Sequence, residues 1–370
     1  MLNKLNYWLM QNKLKYFTLL IVLISLELAA ADWGNASFYG GFKGLHVTDK
    51  FTKSRVLSLK AAAAIDYKIS EDLKAIVFAG VLYEAGSNSS LFVSENNPES
   101  ELVLKEGYLA YSPLEMLTLS IGALDQEKWK SPLFLTETPF LGAEEKLSLK
   151  WGEYQIYIKA LQSIPQNQNL SDRAGNVNEG TPTFFAESLG IRLGGDILSF
   201  KVEGTQYSFS ELGHGVAHQS GLLGNSTSGN QDNARFLYRF QGYNLSTELE
   251  IHGGDIWGLL FSGHYTFNDK APNNRNAAYL AHGGMLFGVL ELFVESFENQ
   301  SDASIAYYNS KTYGHNNRQG QSLGLKWGGD SEKMKVSLRY TVADLILKNQ
   351  NNSQANSKIV LFNLTKKFNF

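Results

Sequence analysis

Beyond residue 32, hydrophobic and polar positions alternate singly over most of the chain. Trp257, Leu259, Phe261, Gly263, Tyr265 and Phe267 alternate with Gly258, Leu260, Ser262, His264 and Thr266. Met334, Val336, Leu338 and Tyr340 alternate with Lys335, Ser337, Arg339 and Thr341. Leu147, Leu149 and Trp151 alternate with Lys146, Ser148 and Lys150. A period of two puts successive side chains on opposite faces, so each run predicts a β-strand with one apolar and one polar face. No stretch beyond residue 32 reads as a convincing amphipathic helix.

Turn signals punctuate the runs. Gly-Gly-Asp recurs at 194–196, 253–255 and 328–330, and Trp151-Gly152-Glu153 closes another pair of strands. These residues supply the positive φ angles of tight hairpins. Between the tight turns lie longer polar stretches, at 85–100, 125–142, 163–182, 209–232, 300–319 and 348–357. The alternation predicts sixteen strands, at 34–45, 55–67, 73–84, 101–111, 116–124, 143–151, 153–162, 183–193, 196–208, 233–252, 255–267, 277–287, 288–299, 320–327, 333–347 and 357–370. All seven prolines fall in the expected connections, as their missing ladder donor requires. Within 233–252 the apolar phase switches after Gly242. A bulge there keeps sixteen strands, whereas a turn there leads to eighteen.

The N-terminus follows a different pattern. Lys4, Lys13 and Lys15 precede the apolar run 17–26, and Ala29, Ala30 and Ala31 follow before Asp32. That order describes an export signal over residues 1–31 rather than a membrane span, with an uncleaved anchor as the alternative. The remaining 32–370 form one β-domain with 33 − 3 = 30 basic and 36 − 1 = 35 acidic residues, a net charge of −5. No basic excess points to nucleic acid. The absence of cysteine excludes a disulfide framework, a zinc-thiolate site and a thiol nucleophile.

A two-faced sheet of this size suits a soluble sandwich or propeller as well as a barrel. The export signal, the aromatic residues toward strand ends and the last strand favour a barrel. The chain ends LFNLTKKFNF, with Phe362, Leu364, Phe368 and Phe370 on one face. In lipid a sheet must close without a free edge, so the last strand must pair with the first. This ending resembles the assembly signal of Gram-negative outer-membrane porins, although Lys366 breaks its apolar spacing. Residues 104–127, LKEGYLAYSPLEMLTLSIGALDQE, resemble the strand-turn-strand before the constriction loop of those porins. The resemblance implies an all-β transmembrane antiparallel β-barrel with long outer loops and an inward-folded third loop. It also implies a homotrimer in the bacterial outer membrane, with outer-membrane lipid and the barrel-assembly machinery as partners.

Sixteen strands enclose an aqueous channel, so the polar phase would line water. Expected pore-wall residues are Lys43, Lys60, Lys146, Lys150, Lys159, Arg192, Lys201, Arg235, Arg239, Lys335 and Arg339, with Asp66, Glu84, Glu203, Glu291 and Glu295 as acidic counterparts. The third outer connection, 125–142, carries Trp129, Leu133, Phe134, Leu135, Phe140 and Leu141, too apolar for a hydrated loop. By position it resembles the constriction loop. Its candidates Asp125, Glu127, Trp129 and Glu137, with Glu144 and Glu145 beside it, would face the basic wall across an eyelet. The alternatives are an outer loop clustered against its neighbours and an oligomer contact.

His214 and His218 lie four apart in a Gly-rich stretch that reads as a loop, so a metal site is not expected. No phosphate loop, nucleophile elbow or compact acid pair marks an enzyme, and no cofactor is expected. The expected function is passive diffusion of small hydrophilic solutes and ions. Its rivals are a channel specific for sugars, phosphate or carboxylates, and a plugged structural or adhesive surface barrel. If the export reading holds, N-terminal sequencing of the membrane-inserted protein will begin at Asp32; a start within residues 1–10 would favour the anchor.

Overall fold

The computed structural model of the chain describes residues 35–92, 96–129, 131–136, 138–166, 180–195, 197–254, 256–328, 333–348 and 353–369. The export segment, Glu137 and Phe370 lie outside the described residues.

Sixteen antiparallel strands form a closed barrel. They are β1 (Asn35–Thr48), β2 (Thr52–Lys68), β3 (Leu73–Ser90), β4 (Ser100–Leu114), β5 (Leu117–Asp125), β6 (Pro139–Trp151), β7 (Tyr154–Ile164) and β8 (Thr183–Gly194). The second half comprises β9 (Leu198–Ser210), β10 (Phe240–His252), β11 (Trp257–Asn268), β12 (Ala277–Phe287), β13 (Leu290–Asn299), β14 (Arg318–Trp327), β15 (Met334–Leu345) and β16 (Ser357–Asn369). Each strand pairs with its neighbours in sequence. The seam joins β1 to β16, where Phe38 faces Phe368, Phe42 faces Leu364 and Gly44 faces Phe362. The expected strand count and the closing role of the last strand both hold.

Three expectations need correction. Residues 233–239 are not part of the wall: β10 begins at Phe240, and Arg235–Phe236 instead pairs with Thr227–Ser228 in a small separate sheet. The change of phase within 233–252 thus marks a loop entering a strand, with no bulge required. His214–Leu222 forms a short helix, α1, which the glycines and weak amphipathic pattern concealed. Two prolines sit at strand ends: Pro139 opens β6, and Pro113 lies where the β4–β5 ladder slips.

The chain's direction sorts the connections into two sets. Those at 69–72, 115–116, 152–153, 195–197, 253–256 and 288–289 are short and share one rim with both ends of the barrel chain. Gly152 (φ +60°) and Gly254 (φ +79°) adopt the left-handed conformation that lets such turns reverse tightly. The long connections, including 126–138, 211–239 and 300–317, lie at the other rim.

One phase of every strand points outward. Leu57, Leu102, Ile121, Leu147, Ile158, Leu189, Leu245, Phe261, Leu292 and Leu323 all stand exposed on that face. Toward the short-turn rim it carries Tyr111, Trp151, Tyr154, Trp257, Phe287 and Phe368, also exposed. An apolar band bordered by aromatic rings suits a bilayer, where the rings sit at the interface. The opposite phase carries the polar and tightly packed residues. A membrane-facing band predicts that Leu189→Arg lowers stability by about 2–4 kcal/mol. Urea titration of the protein folded into lipid vesicles measures this, and an unchanged midpoint would remove Leu189 from the lipid face.

Candidate functional site

The inner face is built by alternation. On β8, Phe184, Ala186 and Ser188 are buried, whereas Phe185, Glu187 and Leu189 are exposed. On β9 the buried set is Glu203, Thr205, Tyr207 and Phe209. The inward aromatic residues receive the third outer connection, 126–138. Its Phe134 ring lies 4.5 Å from Tyr207 and 6.2 Å from Phe184, and Trp129 meets Phe184 edge-on at 6.4 Å. Leu133, Phe134 and Leu135 are buried together. The loop therefore folds into the barrel, because its apolar side chains find partners only on the inner wall.

Two further connections join it. From 300–317, Ser304 donates to the Leu133 carbonyl at 2.7 Å, and the Ser310 amide donates to the Pro132 carbonyl at 2.9 Å. Tyr308 packs against Phe140 at 5.2 Å and Phe209 at 6.2 Å. The 211–239 connection contributes Val216 of α1 to the same buried cluster. Its Asn225, 1% exposed, donates to the carbonyls of Ser301 and Ser304 and accepts from the Ala306 amide. Buried polar groups are costly unless bonded, and both the amide nitrogen and the oxygen of Asn225 are bonded. Burial pushes the hydroxyl pKa values of Tyr308 and Tyr313 upward, so both remain neutral donors.

Charged side chains form three groups. At the base of the third loop, Lys105 lies 2.6 Å from Glu127 and 3.5 Å from Asp125, and Lys128 pairs with Glu144. Burial pulls the Lys128 ammonium below the usual lysine range, against the attraction of Glu144. On β6–β9, Lys159 pairs with Glu203 at 2.8 Å and lies 4.4 Å from the Trp129 ring centre. Tyr157 donates to the same carboxylate. It passes over Gly190, where an added Cβ would stand 2.1 Å from the Tyr157 ring, so only glycine leaves room.

On β12–β15, His282 sits between two carboxylates, with Nε2 2.9 Å from Glu291 and Nδ1 3.1 Å from Glu295. A ring carrying both protons satisfies both contacts. Arg339 donates to Glu295 at 3.1 Å and to the Tyr313 hydroxyl at 2.7 Å, and Lys326 lies 3.0 Å from Glu291. Tyr313 in turn donates to Glu295 at 3.1 Å, tying the 300–317 connection to the wall.

The sequence candidates divide accordingly. Lys43, Lys60, Lys146, Lys150, Arg192 and Arg339 lie on the inward phase, as do Lys159, Lys201 and Lys335. Arg235 and Arg239 do not line the wall; both are exposed in the connection ahead of β10. Glu145 is exposed on the outward phase of β6, opposite Leu119 and Ala160, one residue out of step with inward Glu144. Asp125, Glu127 and Glu144 are held by nearby lysines rather than facing the basic wall across an aperture. Trp129, 1% exposed, anchors the loop instead of lining water, and its indole N–H donates to Gln126 at 2.9 Å. Phe362, Leu364 and Phe368 share the outward phase with Lys366.

Sequence reasoning missed Lys105, Lys128, Lys326, Tyr157, Tyr313 and the His282 network. Lys105 occupies a bulge: Phe78 faces Glu106 while Ala79 faces Leu104, so strict alternation misplaces it. His282 meets Glu295 only through the register of β12 and β13. Among the described residues, no cluster of histidines and carboxylates has a metal-binding arrangement.

OprB of Pseudomonas putida superposes with a TM-score of 0.59 over 93% of this chain and 96% of that one, at 11% identity. The chain has a porin fold. A variant of Rhodopseudomonas blastica porin matches at 0.45, over 90% of this chain and 99% of that one, also at 11% identity. No family model matches the sequence, nor does any curated protein.

Phe134 is a central anchor of the third loop, packed on both Tyr207 and Phe184. Phe134→Ala should weaken the loop's seat by about 3–5 kcal/mol, the usual cost of emptying a buried phenylalanine site. Limited proteolysis would then cut within 126–138 while the barrel stays folded; unchanged resistance would show that the loop is held elsewhere.

Proposed function

We propose that this protein is an outer-membrane channel for passive diffusion of small hydrophilic solutes and ions. One observation carries the reading: the closed barrel turns a charged face inward, and part of that face keeps contact with water. Lys150 and Arg192 are exposed on the inner wall, and Lys43, Lys60 and Glu84 are only partly covered. Sixteen strands leave more space than wall side chains can fill. The inserted 126–138 loop narrows that space.

The porin fold and the apolar outer band support a place in the bacterial outer membrane. Phe362, Leu364 and Phe368 on the outward phase of the seam support a role in recognition by the assembly machinery. A homotrimer follows from the family resemblance. A second reading, a plugged barrel, is favoured by the shared packing of 126–138, α1 and 300–317.

Planar-bilayer recording separates the two. A diffusion channel is expected to give stepwise ohmic conductance with the wild-type protein. A folded protein that carries no current until Phe134→Ala loosens the loop would favour the plug and overturn the open channel.

A further inference from the structure

The inner wall of β6–β9 concentrates positive charge, with Lys150, Arg192 and Lys201 toward the short-turn rim and Lys159 beneath Trp129 of the inserted loop. Its inward residues include Lys146, Lys150, Lys159, Arg192 and Lys201, against the carboxylates Glu144 and Glu203. Glu144 is committed to Lys128, and Glu203 to Lys159, Tyr157 and, at 3.4 Å, Lys201. Among the described residues, Lys146, Lys150 and Arg192 have no carboxylate within ion-pair distance.

The register sharpens this imbalance. Lys146 is the direct cross-strand partner of Lys159, and Arg192 that of Lys201. Like charges directly opposite each other on antiparallel strands repel and destabilise the sheet. Lys150, Gln155, Arg192 and Lys201 follow one another in a single row across four strands, and Glu248 on β10 ends it. At about 4.8 Å per strand the row spans roughly 14 Å. Gln155 donates to Ser148 at 2.6 Å, which keeps a neutral polar group between the cations. Arg192 offers a planar fork suited to a carboxylate or phosphate, flanked by ammonium groups.

We infer that the row Lys150–Arg192–Lys201, with Lys146 two inward positions farther along β6, is a binding strip for small multivalent anions at the inner mouth of the lumen. Phosphate and carboxylate groups share the chemistry it recognises. An anion bound at Arg192 relieves its repulsion with Lys201, while the cation-rich wall raises the local anion concentration. The inference deepens the channel reading and rests on it for transport, but anion binding to the folded barrel can be measured independently.

Calorimetric titration of the purified full-length protein in detergent, at low ionic strength, uses citrate and inorganic phosphate as separate probes. The wild type is expected to bind at least one of them, and the stronger of the two identifies carboxylate or phosphate as the preferred group. The double variant Lys150→Gln/Arg192→Gln should bind at least tenfold more weakly. Arg192→Lys in the otherwise wild-type chain should keep most of the affinity, and Arg55→Gln, on the outward face, should change nothing. No binding by wild type, or equal affinity in the double variant, would overturn the strip. In bilayers the wild type should prefer anions, with a reversal potential that moves toward cations in the double variant. Binding without current would defeat the channel and keep the strip; current with neither anion binding nor an effect of the double variant would do the reverse.

Discussion

The architecture depends on satisfying backbone hydrogen bonds where no water can do so. An unpaired N–H or C=O in hydrocarbon costs several kcal/mol, so a membrane sheet must have no edge. Here the last possible edge is removed by the β1–β16 ladder, which runs from Ser37–Asn369 to Thr48–Lys358. Closure imposes the alternation on every strand: one face meets lipid and the other the lumen. It also explains why the closing strand carries Phe362, Leu364 and Phe368 on the face that must remain greasy.

The enclosed face poses the converse problem. Sixteen strands leave a space too wide for wall side chains alone, so it must hold water or inserted chain. The structure uses both. Over β7–β10, inward Phe184, Tyr207, Phe209 and Phe240 make an apolar floor that the loops cover. Lys150 and Arg192 are exposed and Lys43 and Lys60 only partly covered, so solvent contact persists there. The inserted connections behave as a small core of their own, with Phe134 and Tyr308 supplying packing and Asn225 supplying hydrogen bonds.

Charge within the lumen is arranged unevenly. On β12–β15, Glu291, Glu295, His282, Lys326 and Arg339 neutralise one another at close range, and Tyr313 joins a loop to them. Such a network favours one geometry, because losing one member leaves a buried charge unpaired. On β6–β9 the cations outnumber the available carboxylates and face one another across strands. The first group stabilises a fixed loop position, whereas the second leaves electrostatic work for a mobile ion.

Local pattern determined the strands and most of their inward positions, because a period of two is set residue by residue. Lys146, Lys150 and Arg192 were legible for that reason. The choice of a barrel over a sandwich rested instead on the export signal, the aromatic strand ends and the last strand. The inward turn of 126–138 was expected from its apolar Phe134 and Leu135 and its position in the resembled family, and the structure chose it over a clustered outer loop. Glu145 failed by one step, since neighbouring Glu144 and Glu145 look alike until the apolar Leu147 phase is carried back to them. Arg235 and Arg239 failed because an alternating stretch can continue into a loop that no neighbouring strand pairs with. Only the tertiary structure decided who meets whom. Register placed His282 between Glu291 and Glu295, a bulge aimed Lys105 at Glu127, and three distant connections became one insertion. These contacts depend on distances through space rather than along the chain, so no local periodicity encodes them.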